Sequence, residues 1–174
     1  MGEISIQKLE PKNAELLSKV ARKAYSDHYP GLWHDHGKWY TEKYFSVDRL
    51  TDELNDLNAI FYLAYYNGKP AGFLKLNINA PLEGFEDNKA LELERIYLNK
   101  DAAGKHIGRD LVELTFKIAQ ENNKEIVWLK AMDTSEGPIA FYKKMGFTIT
   151  GIHRLKHPLM KEELRGMVIM IKRL

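Results

Sequence analysis

The chain has 174 residues, 44% hydrophobic and 29% charged, with a net charge of +2; this suits one domain with a sizeable core and is too mild a charge for a nucleic-acid-binding face. It has no cysteine, which excludes disulfides, thiolate metal sites and Cys nucleophiles. No apolar run reaches the length of a membrane span, the N-terminus has no apolar signal core, and Gly2 opens no myristoylation motif because position 6 is Ile, so a cytoplasmic protein with one domain over residues 1–174 is expected.

Ile4 and Ile6 alternate with polar residues, a short strand signal. Pro11 and Asn13 open a helix in which Leu16, Leu17, Val20, Ala21 and Ala24 recur at helical spacing up to about Tyr25. Residues 27–40 carry a Pro-Gly break and several aromatics, and read either as a loop with short helical turns lining a pocket or as a surface connection folded onto the core. His34 and His36 lack the i, i+4 spacing of two ligands on one helix face, and no second cluster completes a site, so no metal is expected. Residues 44–57 look helical, with Leu50, Leu54 and Leu57 on one face. Strands follow at 60–66 and 70–78, joined by the hairpin signal Asn67-Gly68. A polar, partly acidic loop spans 79–89.

A buried strand at 91–98 then leads through a glycine-bearing turn into a helix whose core face is Ile107, Leu111, Leu114 and Ile118. Next come a strand at 126–132, a helix from Ser135 to Met145 ended by Gly146, and strands at 147–151 and 167–172 joined by residues 152–166. The order β-α-α-β-β-β-α-β-α-β-β implies a mixed α/β fold, with helices on both faces of the sheet.

The turn Ala103-Gly104-Lys105-His106-Ile107-Gly108-Arg109 is neither a P-loop, which needs Gly-Lys-Ser/Thr, nor a Rossmann fingerprint, which needs three spaced glycines after the first strand. Lys105 and Arg109 at a helix start are poor partners for its dipole unless an anion lies between them. The alternatives are a pyrophosphate cradle of backbone N–H groups and a plain strand-to-helix turn with solvated cations.

These residues resemble the acetyl-CoA pyrophosphate loop of the GCN5-related N-acetyltransferases, Gln/Arg-x-x-Gly-x-Gly/Ala. Gly108 fits the last position, while Ala103 and His106 depart from the first and fourth. Ile139-Ala140-Phe141-Tyr142-Lys143-Lys144-Met145-Gly146-Phe147 matches the family's Ala-Ile-x-Phe-Tyr-x-x-x-Gly-Phe helix, with Ser135 where an Asn is usual, and Trp128-Leu129-Lys130-Ala131 fits its fifth strand. The segments 73–78, 91–98, 105–106 and 141–147 are most similar to bacterial Pai-type polyamine N-acetyltransferases.

The resemblance implies a mixed, mostly antiparallel sheet of about seven strands with helices on both faces. It implies acetyl-CoA as cosubstrate and no metal. The cofactor would lie against backbone from Gly104, Lys105, His106, Ile107, Gly108 and Arg109, along Ile96, Tyr97 and Leu98, and beside Ser135, Phe141 and Lys144. It implies Tyr142 as general acid at the departing thiolate. Glu94 matches the acid of polyamine acetyltransferases, working through water, and Glu92 matches the base of histone-type enzymes.

Strand period two puts Glu92, Glu94, Ile96 and Leu98 on one face, so both acids are expected in one cleft; the alternative for each is an ion pair with Arg or Lys. The expected acceptor is a small-molecule amine, polyamine first and a protein or amino-acid amine second, with a catalytically silent CoA-binding module as the other class. Neither nucleic acid nor membrane is expected as a partner; homodimers are common in the family and the chain leaves that state open. Glu83, Glu86, Asp87, Glu92, Glu94, Asp133 and Glu136 are the candidate acidic lining for a polycation. Against them stand His153, Arg154, Lys156, His157, Lys161 and Arg165. If that connection roofs the acceptor cleft, it should repel a polyamine and prefer an anionic or neutral amine.

Overall fold

In the computed structural model, which describes residues 2–86 and 88–174, the strand signals become Ile4–Lys8 (β1), Ala59–Tyr66 (β2), Lys69–Asn77 (β3), Ala90–Leu98 (β4), Ile126–Met132 (β5), Thr148–Arg154 (β6) and Gly166–Arg173 (β7). They form one seven-stranded sheet in the order β1-β2-β3-β4-β5-β7-β6. Every pairing is antiparallel except β4 with β5. Asn67 and Gly68 both take positive φ, 49° and 72°, as the tight β2–β3 hairpin requires.

Helices Ala14–Ser26 (α1), Lys38–Tyr44 (α2) and Val47–Asn55 (α3) cover one face, and Ile107–Glu121 (α4) and Glu136–Lys144 (α5) cover the other. The alternation of β3 divides the core accordingly. Phe73 packs with Leu17, Val20 and Leu50 beneath α1 and α3, whereas Leu74 and Leu76 pack with Ile107, Leu111 and Tyr142 beneath α4 and α5.

The helix read at 44–57 forms as α3, and a separate short helix, α2, precedes it at Lys38–Tyr44. Gly37 enters α2 at φ 84°, and Ser46 starts α3, its Oγ accepting from the Arg49 N–H at 3.3 Å. Leu57 lies beyond α3 and is fully exposed, so it does not share the buried face of Leu50.

Two irregularities shape the centre of the sheet. Lys75 faces Arg95 and Leu76 faces Leu93, which leaves Glu94 as an extra residue in β4, a bulge. β4 and β5 pair only from Ala90–Ile126 to Glu92–Trp128. Beyond that point the strands diverge, and the β5-facing backbone of β4 from Glu94 to Leu98 has no sheet partner.

Candidate active site

The diverging strands open onto two cavities. The first, about 810 Å³, lies between the end of β4 and the start of α4. Its wall includes Ile96, Tyr97, Leu98 and every residue from Ala102 to Arg109, with Phe141 and Lys144 from α5. The first intrahelical bond of α4 runs from Asp110 N–H to the His106 carbonyl (3.1 Å), so the N–H groups of Ile107, Gly108 and Arg109 precede the helix ladder. Gly104 has φ 73° and would meet nothing within 4 Å if it carried a Cβ. A Cβ on Gly108 would project toward Leu98 and Phe141, 3.6 Å from each, so glycine keeps the wall open there. Free helix-start donors, a flat glycine and two lining cations suit an elongated ligand ending in pyrophosphate. Those cations have neighbours of their own: Arg109 Nε lies 2.8 Å from Glu113 Oε1, and Lys105 Nζ lies 4.3 Å from the Tyr66 ring centre.

The second cavity, about 330 Å³, lies on the α1–α3 side of the gap. Both are lined by Tyr29, Ile96, Tyr97, Pro138 and Tyr142. Tyr142 is therefore the junction: buried at 7% exposure and held edge-on against Phe147 at 5.6 Å. Burial pushes its phenol above the ordinary tyrosine range, so it stays protonated at neutral pH.

Glu94 lines the second cavity; Glu92 lines neither. The amide of Asn77 joins them, donating to Glu94 at 2.7 Å and to Glu92 at 2.9 Å. Glu94 also meets Lys75 (2.6 Å) and Arg95 (3.2 Å). These two buried cations are shared with Glu53 of α3, at 2.9 Å from each, and Arg49 closes the cluster at 2.7 Å. For Glu53, burial raises the carboxyl, but Arg95 and Lys75 more than offset it and hold it below its ordinary value. Glu92 makes no ion pair among the described residues; burial, with Glu94 adding to it, raises its carboxyl against the opposing pull of the Asn77 amide, Lys130 and Lys75.

The 152–166 connection covers the second cavity. Trp33 and Met160 form a β-bridge, with His34 N–H donating to the Leu159 carbonyl (2.8 Å) and Lys161 N–H to that of Leu32 (2.9 Å). His157 stacks on Trp39 at 3.7 Å between ring centres. The aromatic segment 27–40 thus lines a pocket, and the late basic connection roofs it.

The sequence pattern of the acetyltransferase (GNAT) family matches residues 19–147. The chain belongs to that family. It is 30% identical over 152 residues to the spermidine N(1)-acetyltransferase of Thermoplasma acidophilum, spanning 84% of this chain and 89% of the relative. It is 27% identical over 150 residues to an uncharacterised N-acetyltransferase of Lactobacillus delbrueckii subsp. lactis, spanning 85% and 86%. In fold it is similar to the PaiA N-acetyltransferase of T. acidophilum solved with coenzyme A, with a TM-score of 0.78, 24% identity and 99% of each chain covered.

In this acetyltransferase the loop and helix residues named from sequence do come together, with one exception. Ser135 lines the second cavity instead of the first. The single-face reading of β4 is corrected by the bulge. Glu92 faces Asn77 and shares the side of Arg95, while Ile96 faces Leu74 and packs toward α4 with Leu98. The two acids still converge, through the Asn77 side chain. The acidic lining does not assemble. Glu83, Glu86, Glu92, Asp133 and Glu136 line neither cavity, leaving Glu94 alone, and Asp87 falls outside the described residues. Of the six basic residues in the late connection, Lys156 and His157 reach the lining.

The sequence reading missed His28, whose Nε2 lies 2.9 Å from the Leu98 carbonyl oxygen in the wall of the first cavity, and Lys130 in the lining of the second. No local pattern marks either; His28 meets β4 only through the docking of α1. Among the described residues, no three His, Asp or Glu are grouped to hold a metal, and no helix is long and apolar enough to cross a membrane.

Proposed function

We propose that this acetyltransferase moves an acetyl group from acetyl-CoA directly to a primary amine, with Tyr142 as general acid and Glu94 as the carboxylate nearest the acceptor. The observation carrying this reading is the phenol of Tyr142, the most buried of the three tyrosines that line both cavities, beside the unpaired edge of β4. Acetyl-CoA supplies the activated acyl group as a thioester.

The chain's own residues would do the rest. Backbone donors from Gly104 to Arg109 hold the pyrophosphate, and the exposed backbone of Ile96, Tyr97 and Leu98 aligns the arm and the thioester carbonyl. A backbone N–H aimed at developing negative charge contributes at most about 3–4 kcal/mol. A lysine-like amine is neutral in roughly 1 part in 10³ at pH 7, so deprotonation costs about 4–5 kcal/mol. Glu94 reaches the acceptor cavity with a quarter of its side chain (26%) exposed, so it can accept that proton directly or through water. Tyr142 gives its proton to the departing thiolate. No cysteine is present and no Ser lies in a nucleophile elbow, which favours direct transfer.

A polyamine acceptor is supported by the name of the Thermoplasma relative. A second acceptor class, an amine carrying an acidic group, is favoured by the roof and lining found in this chain. The transferase reading is tested by mixing protein and acetyl-CoA with spermidine, spermine, lysine, aromatic amino acids or a peptide N-terminus and following free thiol. Amine-dependent release is expected. Acetyl-CoA binding with no release from any amine would leave a silent CoA-binding module in its place.

A further inference from the structure

We infer that the acceptor is a primary amine on an aromatic or apolar body that also carries a carboxylate, a free aromatic amino acid being the fullest case. The inference rests on the transferase reading above and names its substrate class. Three features of the second cavity carry it.

First, its one carboxylate is already engaged. Glu94 receives Lys75, Arg95 and Asn77, and among the described residues no further acid remains in the lining for the other ammonium groups of a polyamine. Secondly, the aromatic walls are not a free cation cage. Lys43 sits 4.8 Å from the Trp39 ring centre and 5.3 Å from that of Tyr44, and Arg95 sits 5.7 Å from Tyr44. The faces of Trp39 and Tyr44, which would otherwise attract a substrate ammonium, are thus occupied by the chain's own cations, and His157 stacks on Trp39 as well. What remains is flat apolar wall, braced by the Tyr25–Tyr40 stack at 4.4 Å and Trp33 against Tyr40 at 5.4 Å. Thirdly, Lys130 and Lys156 line this cavity from β5 and from the roof. Both are exposed, and neither forms an ion pair among the described residues. Lys130 lies 5.6 Å from the Trp128 ring centre, outside the lining; two ammonium groups without ion pairs at a mouth that must admit substrate repel every extra positive charge and attract a carboxylate.

The test compares matched amines by thiol release from acetyl-CoA: tryptophan with tryptamine, phenylalanine with phenethylamine, and spermidine beside them. The carboxylated member of each pair is expected to exceed its partner in kcat/KM by about tenfold, an amount worth about 1.4 kcal/mol. Spermidine should fall below both. The double variant Lys130→Glu, Lys156→Glu should raise KM for the amino acid and erase or reverse the preference, with acetyl-CoA affinity unchanged by calorimetry. Faster turnover of the decarboxylated amines or of spermidine overturns the acceptor class and leaves the transferase intact, as does a preference indifferent to charge reversal. Bound acetyl-CoA with no thiol release from any amine overturns the transferase reading and this inference with it.

Discussion

His106 starts α4 at φ 65° and ψ 0°. That is left-handed backbone, which costs an L residue roughly 1–2 kcal/mol and glycine nothing. The family pattern writes Gly at this position, and the departure read from the sequence is therefore one of side chain and not of backbone shape. His106→Gly should relieve the strain and lose part of the gain to the freer unfolded chain, stabilising the protein by about 0.5–1 kcal/mol in urea unfolding. Equal or lower stability would mean that the imidazole makes a compensating contact. At this scale the sequence was legible where a candidate wall is built of consecutive residues, as from Gly104 to Arg109. Lys130 and His28 were opaque because their roles depend on neighbours brought together by the sheet and by α1.

At the scale of elements, the bulge at Glu94 and the docking of α3 are one arrangement. Glu53 projects from α3 beneath the sheet and shares Lys75 and Arg95 with Glu94, which lines the acceptor cavity. Glu53→Ala would strand two buried cations on Glu94 alone and should cost about 3–5 kcal/mol in chemical denaturation; a loss below about 1 kcal/mol would show that water or Glu94 takes over the pairing. The pH sign follows from the lowered carboxyl of Glu53. Its stabilisation is complete above the unfolded glutamate value of about 4.3 and is lost as pH falls through the lower folded value. Glu53→Gln should accordingly flatten the acid limb of the stability curve; an acid limb as steep as that of the unaltered protein would locate acid lability elsewhere. None of this was visible in the strand pattern. Period two is a rule for unbulged strands, and one inserted residue moves Ile96 and Leu98 to the face opposite Glu92. Similarly, the apolar spacing of residues 44–57 overran the helix at both ends, which the Ser46 cap starts at Val47 and which stops at Asn55.

For the whole molecule, the decisive property is that β4 and β5 begin paired and then separate, which opens a passage between the two faces of the sheet. The cofactor-side cavity lies on the α4–α5 side, the acceptor cavity lies beneath α1, α2 and the late roof, and Tyr142 stands where they meet. The strand and helix order read from the sequence already implied this mixed architecture, because hairpins followed by β-α-β units leave few alternatives. The roof was not predictable, since a 155–165 segment and a 32–34 segment recognise each other only across folded chain. The central claim is that the junction phenol protonates the leaving thiolate, and Tyr142→Phe tests it most directly. Thiol release in the presence of the best amine should fall by about 100-fold in kcat, while calorimetric acetyl-CoA affinity stays within about twofold of the unaltered protein. An unchanged kcat, or a loss of rate matched by an equal loss of acetyl-CoA affinity, would contradict the claim.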